Sequence, residues 1–306
     1  MTRPRVSALF VLAAGLLWLS ASLGAQRAAR PIAREKSLYV SVVDQNGAPV
    51  PDLGPSDFLV KEDNVTREVL HVEPATEPMQ IAVLVDTSTA ARNEITYLRQ
   101  GLPEFVMMLT KPTASGRKNQ MALIGIGERH TVLVDYSTDP IQINKGVNRI
   151  WSAPQSGMYL LDSIVEEAQR LKKREAQRPV LVSITTSGIE YSNRMHDQAL
   201  EPLKATGAAY YALVLGQPDT SLAQEARERA IVLDQGPRDT GGYQEQILAS
   251  MALPARLKVL GNQLTHQYKV TYGRPESLIP PEKTTVAAVK PGLVARGTPI
   301  KEETSR

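Results

Sequence analysis

The sequence contains no cysteine. Disulfide bonds, cysteine-ligated zinc, iron–sulfur clusters and a thiol nucleophile are therefore excluded. Histidine is also scarce: the four histidines lie far apart, and no two of them form a His-x-x-x-His or His-Glu-x-x-His pair. Because histidine-based metal sites use such spacings, a site of that kind is not expected.

A strong charge and the common enzyme motifs are also missing. The 306 residues carry a formal net charge of +3, which by itself does not favour nucleic-acid binding. The sequence has no Gly-x-x-x-x-Gly-Lys-Ser/Thr loop and no Gly-x-Ser-x-Gly elbow. Gly125-Ile126-Gly127 lacks the third glycine of a dinucleotide loop and is interpreted as a turn. Glu166 and Glu167 are interpreted as part of a solvated helix face.

The N-terminal segment has the pattern of a secretory signal peptide. Residues 1–5 are basic at two positions, residues 6–24 are almost entirely apolar or small, and small residues follow at 22–25. This pattern predicts a cleaved signal peptide over 1–25. An uncleaved anchor is the alternative, because the apolar run approaches the ~20 residues that span a bilayer. In either case we expect an exported protein, periplasmic or extracellular, with a flexible lead-in at 26–36 and no later membrane span.

Residues 37–78 are predicted to form a small β module. The β-branched, alternating segment 37–44 predicts a strand, and Gln45-Asn46-Gly47 predicts a turn. Shorter strands are predicted at 57–60 and 67–72, with a turn at Asp63-Asn64 between them.

Residues 79–265 alternate between strands and helices, which predicts a doubly wound, mostly parallel α/β sheet. Strands are predicted at 81–85, 120–127, 131–136, 180–185 and 208–215. Helices are predicted at 91–110, 141–151, 159–174, 196–205, 222–233 and 244–264. Closing strands within 266–298 are predicted at 266–272 and 284–289, followed by a frayed tail at 299–306.

The charges of the two flanking segments have opposite sign. Residues 37–78 hold eight acidic and two basic residues, whereas residues 256–306 hold nine basic and four acidic residues. Opposite charge modestly favours contact between exposed segments. We therefore expect the terminal strands to join the β module as one second domain.

Three motifs at the predicted strand ends resemble those of von Willebrand factor type A domains. Asp86-Thr87-Ser88-Thr89-Ala90 is similar to the Asp-x-Ser-x-Ser motif of that family. Ser156-Gly157-Met158-Tyr159 and then Thr185-Thr186-Ser187-Gly188 occur in the order of its second and third motifs. Segments 44–63, 240–243, 264–272 and 289–297 resemble the VWFA-related family described from Acidobacteria. The resemblance covers residues 37–298 and implies a Rossmann-like α/β domain with a metal-ion-dependent adhesion site.

The chain departs from that family at the positions that would hold the metal. The matching positions are Asp86, Ser88, Ala90, Met158 and Ser187. Only Asp86 and Ser88 keep an oxygen ligand of the family's type. The alanine side chain has no oxygen, the methionine offers a thioether, and the serine at 187 stands where the family has a carboxylate. The sequence therefore predicts a degenerate site and no cofactor. Weak Mg²⁺ binding, rescued by Ser156 or Glu190, is the alternative.

Other roles are expected for the retained residues. Asp86 is expected to accept hydrogen bonds from backbone N–H groups at the start of the next helix, and Ser88 to cap that helix. Two alternatives are open for Met158. In one, Met158 and Tyr159 are exposed as an apolar part of a partner-binding face. In the other, Met158 fills the vacated metal pocket.

The leading functional hypothesis is an exported, non-enzymatic protein-binding module. Its partner-binding face is predicted from the matching positions and one neighbour: Asp86, Ser88, Ala90, Met158, Tyr159 and Ser187. A magnesium-dependent adhesion domain with atypical ligands is the second hypothesis. An exported hydrolase of unseen type is the third. Nucleic acid is not an expected partner.

Overall fold

The structure of the protein, a computed structural model, describes residues 34–113, 115–275 and 279–301. The predicted signal peptide, residues 26–33 of the predicted lead-in and residues 302–306 lie outside the described residues. Within the described ranges, no helix has both the length and the apolar character needed to cross a membrane.

Strands and helices alternate through the middle of the chain, and further strands lie on both sides. The strands are β1 (Arg34–Val43), β2 (Phe58–Glu62), β3 (Val65–Arg67), β4 (Val69–Pro74), β5 (Met79–Val85), β6 (Gln120–Gly125), β7 (Thr131–Ser137), β8 (Arg178–Thr185), β9 (Ala209–Leu215), β10 (Gln244–Ile247), β11 (Tyr268–Arg274), β12 (Thr284–Ala288) and β13 (Val294–Pro299). The helices are α1 (Ile95–Leu109), α2 (Pro140–Val147), α3 (Leu160–Lys173), α4 (His196–Thr206), α5 (Gln224–Thr240) and α6 (Leu253–Thr265).

The large sheet has six strands in the order β10-β9-β8-β5-β6-β7. All neighbouring pairs are parallel except β6 and β7, which are antiparallel. The central strands β5, β8 and β9 are buried along nearly their whole length. This burial explains their continuous apolar sequences, because both faces of the sheet are covered. The predicted doubly wound, mostly parallel sheet is confirmed.

Helices cover both faces of this sheet. Side chains of α1, α2 and α6 form one apolar core with one face, and side chains of α3, α4 and α5 form a second core with the other. Because helices cover the faces, the loops at the strand ends are the part of this sheet that a partner can reach. In parallel α/β sheets ligands bind at the carboxyl ends of the strands.

The β module is built from both ends of the described chain. One sheet has the order β13-β1-β11-β4 and a second has the order β12-β2-β3. They share a third apolar core, which includes Leu38, Phe58 and Val270. The predicted joining of the terminal strands to the module is confirmed by these pairings, whereas the division of the chain into domains stays a prediction.

The opposite charges of the two flanking segments form ion pairs in the module. Lys290 pairs with Asp57 at 3.1 Å, and Arg274 pairs with the buried Glu62 at 3.3 Å. Most such pairs are partly exposed and contribute little each. The buried Glu62 also accepts a hydrogen bond from Tyr272 at 2.8 Å, so this carboxylate is held within the core of the module.

A buried arginine joins the module to the α/β unit. The Arg178 guanidinium donates to the Leu264 carbonyl at 2.9 Å, to the Glu77 carbonyl at 3.2 Å and to the Gln267 side chain at 2.5 Å. It also lies 5.0 Å from the centre of the Tyr39 ring. Burial lowers the pKa of Arg178, and the carbonyl partners compensate for the lost hydration.

The structure corrects the predicted helix at 244–264. Its first four residues form β10, which pairs in parallel with β9, and α6 begins only at Leu253. Pairing at the sheet edge overrides the helical preference of glutamine and glutamate. Gln244 lies opposite Ala212 in that register.

Three further expectations are wrong in part. The lead-in does not extend to residue 36, because β1 begins at Arg34 and pairs there with Arg274. The tail is ordered at its start, because Ile300 donates its N–H to the Ser37 carbonyl at 2.9 Å. Glu167 does not lie on a solvated face: it is fully buried and accepts a hydrogen bond from the Tyr136 hydroxyl at 3.0 Å.

Candidate functional site

The loops at the carboxyl edge of the large sheet include the five that follow β5, β8, β9 and β10 or precede α3. We name them loop 1 (86–94, after β5), loop 2 (151–159, before α3), loop 3 (186–195, after β8), loop 4 (216–223, after β9) and loop 5 (248–252, after β10). The family resemblance placed the metal positions in the first three of these loops. Loops 4 and 5 were not singled out by the sequence.

Asp86 is a buried hydrogen-bond acceptor that joins loop 1 to loop 3. Its Oδ1 accepts the Ser88 N–H at 2.8 Å, and its Oδ2 accepts both the Thr186 N–H at 3.2 Å and the Thr186 hydroxyl at 2.5 Å. The expectation that Asp86 accepts a backbone N–H from the following helix start is confirmed. Thr186, which the sequence analysis did not assign a role, holds the other side of the carboxylate.

Ser88 lies at the start of a short 3-10 helix (Thr89–Asn93), but its side chain does not cap that helix. Its hydroxyl is fully buried and has no hydrogen-bond partner. The predicted capping role is therefore wrong. One N–H group that such a cap would satisfy, that of Ala91, donates instead to the Ser88 carbonyl at 3.1 Å.

The residues at the metal positions do not fit a tightly held divalent cation. A Mg²⁺ site needs a near-octahedral oxygen shell with carboxylate charge. Here Asp86 offers one carboxylate that already accepts three hydrogen bonds, and Ser88 and Thr186 offer hydroxyls. Ala90 and Ser187 are exposed and bring no carboxylate. Among the described residues, no cluster of three or more histidine, aspartate or glutamate side chains is arranged to hold a metal ion.

The two residues expected to rescue the site are held by other partners. The Ser156 hydroxyl donates to the Ala153 carbonyl at 2.9 Å. Glu190 Oε1 accepts the N–H groups of Leu160 and Ser192, each at 3.1 Å. Both side chains thus support the loops in which they lie.

Met158 is fully buried, so the expectation that it is exposed on a binding face is wrong. Its backbone N–H donates to Ile189 O at 2.8 Å, and its carbonyl accepts the Tyr191 N–H at 2.7 Å. This pairing of loops 2 and 3 directs the thioether into the apolar core on the α3 side of the sheet, with Leu160. Tyr159 is partly buried, with its ring edge against the Tyr191 ring at 6.0 Å.

Loops 1 and 2 are also joined to each other. The Ser152 hydroxyl donates to Ser88 O at 2.8 Å, and the Ala153 N–H donates to Thr87 O at 2.8 Å. Gly127 presses against the same carbonyl, because an added Cβ would lie 2.5 Å from Thr87 O. The metal positions therefore belong to a closed, hydrogen-bonded ring of loops.

Glu190 carries a buried carboxyl group within loop 3. Burial raises the pKa of this carboxyl to about 7, although the bonds from Ser192 and Leu160 and the nearby Arg229 favour the charged form. Its second oxygen, Oε2, is buried without a hydrogen-bond partner. The neutral and charged forms are therefore balanced near neutral pH.

Arg229 of α5 ties loop 3 to loop 4. Its buried guanidinium donates to the Gly188 carbonyl of loop 3 and forms an ion pair with Asp219 of loop 4. A charged side chain is almost never fully buried unless it is paired. Sequence reasoning missed Arg229, although one signal was present: it lies three and four residues before Val232 and Leu233, on the apolar stripe of its helix.

Large apolar side chains are exposed on loops 2, 3, 4 and 5. These side chains are Trp151, Ile189, Tyr191, Met195, Leu222, Leu248 and Met251. Of the predicted partner-binding residues, only Ala90 and Ser187 are exposed. The apolar exposure thus lies beside the metal positions, on residues that the sequence analysis did not select.

Comparisons with known proteins bear on the fold. No protein-family model matches the sequence, and no curated protein matches it. Among solved structures, the chain is similar to a von Willebrand factor type A protein from Catenulispora acidiphila, with a TM-score of 0.51 and 9% identity over 89% of this chain and 73% of that chain. It is also similar to the vWF domain of the pilus tip protein Mfa5 from Porphyromonas gingivalis, with a TM-score of 0.48 and 9% identity over 62% and 96% of the two chains.

A third similar structure is proximal thread matrix protein 1 from the mussel byssus, with a TM-score of 0.48 and 14% identity over 67% of this chain and 49% of that chain. The similarity to the Catenulispora acidiphila protein extends over 89% of this chain. The chain therefore has the von Willebrand factor type A fold.

Proposed function

We propose that this protein is an exported, non-enzymatic protein-binding module that contacts its partner through the loops at the carboxyl edge of the large sheet. The observation that carries the proposal is the set of large apolar side chains exposed on those loops. Exposed apolar patches on folded proteins commonly mark interaction sites. Export rests on the N-terminal sequence pattern alone.

Binding in this proposal requires no divalent cation. Support comes from the hydrogen bonds that already occupy Asp86 and from the missing oxygen ligands at Ala90 and Met158. The metal site is thus proposed to be degenerate. Asp86, Ser88 and Met158 then contribute indirectly, by holding loops 1 to 3, whereas Ala90, Tyr159 and Ser187 lie where a partner can reach them.

A cation-dependent adhesion domain is the second candidate. One observation favours it: the Ser88 hydroxyl is buried and without a partner beside the Asp86 loop. An unpaired buried hydroxyl is costly and often marks a missing ion or water. The two candidates differ in one measurable property, the effect of a chelator on partner capture.

The test is capture of partners from the cell-envelope fraction by the full chain, with and without EDTA. We expect capture that EDTA does not change, that Ile189→Glu abolishes, and that Val65→Glu leaves intact. Val65 is an exposed apolar residue of β3 in the β module and is the matched control. Capture lost in EDTA and restored by Mg²⁺ would establish the second candidate instead. Capture that survives Ile189→Glu but not Val65→Glu would place binding on the module.

A further inference from the structure

We propose that loops 3 and 4 form one docking surface for an uncharged, apolar segment of a partner protein. This inference rests on the proposed protein-binding function. It adds which loops contact the partner and which chemistry the bound partner segment has. We call the surface, made by residues 186–195 and 216–223, the two-loop surface.

Four side chains supply the apolar area of the two-loop surface. The exposed fractions are 68% for Ile189, 49% for Tyr191, 46% for Met195 and 85% for Leu222. Burying exposed aliphatic side chains in an interface favours binding, because it removes apolar area from water. Tyrosine and methionine are also enriched in protein interfaces relative to the rest of the surface.

Loops 3 and 4 are held together from below. Arg229 contacts the Gly188 carbonyl and Asp219 at once. At the rim, the Gln224 side chain contacts the Met195 sulfur at 3.4 Å. A surface fixed in this way loses little conformational freedom on binding, which favours affinity.

The Tyr191 ring is also supported from below. It lies over Gly157, where an added Cβ would be 2.5 Å from the ring. The Tyr159 ring meets it edge-on. Tyrosine with a fixed ring is an effective anchor, because it presents a large contact area at low entropic cost.

The charged residues of the two loops are each paired or buried within the protein. Arg194 pairs with Asp162 of α3, and Asp219 pairs with Arg229 of α5. Glu190 is buried. The remaining exposed residues of the two-loop surface are uncharged, and they include Ser187, Asn193, Gln217, Thr220 and Ser221.

This internal pairing selects the partner's chemistry. A charged partner segment would lose hydration on docking and would find no free counter-charge on the two-loop surface. An uncharged apolar segment meets the four apolar side chains without that cost. Hydroxyl and amide groups at the rim remain available for hydrogen bonds to its backbone.

The same reasoning separates this surface from loop 1. There the Asp86 carboxylate is buried and already bonded, Ala90 exposes only a methyl group, and the other exposed side chains, Arg92 and Asn93, are polar. Contact is therefore expected to be centred on Ile189 and Leu222, away from Asp86.

The test uses a random peptide library displayed on phage, selected against the full chain in EDTA. We expect the selected peptides to be rich in apolar, uncharged residues. Their affinity should fall about tenfold or more in Leu222→Asp and in Ile189→Asp, which is the range for central interface residues. It should change by less than about twofold in Val65→Asp, and by little between low and high NaCl, because screening acts only on charge.

Leu222→Ser is the milder variant if Leu222→Asp lowers folding, which far-UV circular dichroism would reveal. Charged peptides whose binding weakens steeply with salt would overturn the inference. So would peptides that lose binding in Ala90→Asp but keep it in Leu222→Asp, although partner binding by the wider face would then still stand. Self-association of the chain that Leu222→Asp abolishes, measured by sedimentation, would assign the surface to a second copy and overturn the proposed occupant.

Discussion

Loop 1 and the two-loop surface lie at the same edge of one sheet, yet their residues are used in opposite ways. In loop 1 the polar groups of Asp86 and Ser88 are buried. In loops 3 and 4 the charges are buried or paired, and Ile189 and Leu222 are exposed. One region is closed on itself and the other is open to solvent.

The difference shows that neighbouring loops of one sheet edge can be built on different chemistry. Loops 1 to 3 are joined by hydrogen bonds from Thr186 to Asp86 and by backbone pairing between Met158 and loop 3. These bonds hold the loops in place, and the apolar side chains of the neighbouring two-loop surface are the groups exposed to a partner. Four predictions test this contrast, in order of decreasing effect on the free energy of unfolding.

Asp86→Ala is expected to have the largest effect. It removes three hydrogen bonds to a buried carboxylate and leaves their donors unpaired, so the free energy of unfolding should fall by about 3–5 kcal/mol. Urea denaturation measures the loss, with Asp86→Asn as the control that keeps the shape and loses less. The loss should be equal in EDTA and in Mg²⁺; a loss seen only with Mg²⁺ would show that Asp86 is a metal ligand.

Arg229→Met is expected to lower the free energy of unfolding by about 3 kcal/mol, because it removes a buried guanidinium and leaves the Gly188 carbonyl and Asp219 without their donor. Asp219→Asn should cost less, about 1–2 kcal/mol, because the asparagine oxygen can still accept a hydrogen bond from Arg229 although the counter-charge is lost. Amide hydrogen exchange should rise in loops 3 and 4 together in Arg229→Met. A rise in only one of the two loops would show that Arg229 does not join them.

Glu190→Gln tests how the buried carboxyl of loop 3 makes the stability depend on pH. Burial raises its pKa in the folded protein to about 7, above the ordinary value of 4.5. As the pH rises from about 4.5 to about 7, the unfolded chain releases this proton before the folded chain does. The folded state should therefore lose about 2–3 kcal/mol over that window through this group.

The measurement is the free energy of unfolding as a function of pH in both forms. The slope between pH 4.5 and 7 should be shallower in Glu190→Gln than in the unmodified chain. Glu228→Gln is the comparison carboxylate, since the hydrogen bond with His196 lowers the pKa of Glu228 and its contribution to the slope has the opposite sign. Equal slopes in the Glu190→Gln and unmodified proteins would contradict the prediction.

Gly157→Ala is expected to have the smallest effect on stability, about 1–2 kcal/mol, because the new methyl group must displace the Tyr191 ring. Near-ultraviolet circular dichroism should report the ring movement. Gly54→Ala is the matched control, because an added Cβ there meets no atom within 4 Å. An unchanged Tyr191 environment would show that the ring does not depend on Gly157.

The sequence predicted the fold well because the fold depends on long, regular patterns. The apolar run of β5 and the alternation of strands and helices identify the sheet regardless of side-chain detail. The β10 strand was missed because its four residues carry a helical preference and become a strand only by pairing with β9. Such tertiary effects are invisible in a local pattern.

The candidate site was predicted less well, for a related reason. Motif order located loops 1 to 3 and the acceptor role of Asp86 correctly. The burial of Met158 depends on its backbone pairing with Ile189 and Tyr191, and a linear motif does not specify which way a loop residue points. Arg229 lies outside every motif. The only sequence feature that indicated its burial is its position on the apolar stripe of α5.

The construction of the β module from both chain ends sets an order of events in folding. Ser37 and Thr271, whose side chains meet at 2.9 Å, are 234 residues apart in the sequence. Strand β1 is synthesised early, but its two neighbours β11 and β13 follow only after the entire α/β unit. Loop closure over such a distance is slow unless the intervening chain is already compact. We therefore expect the α/β unit to fold before the strands from the two ends of the described chain pair and complete the module.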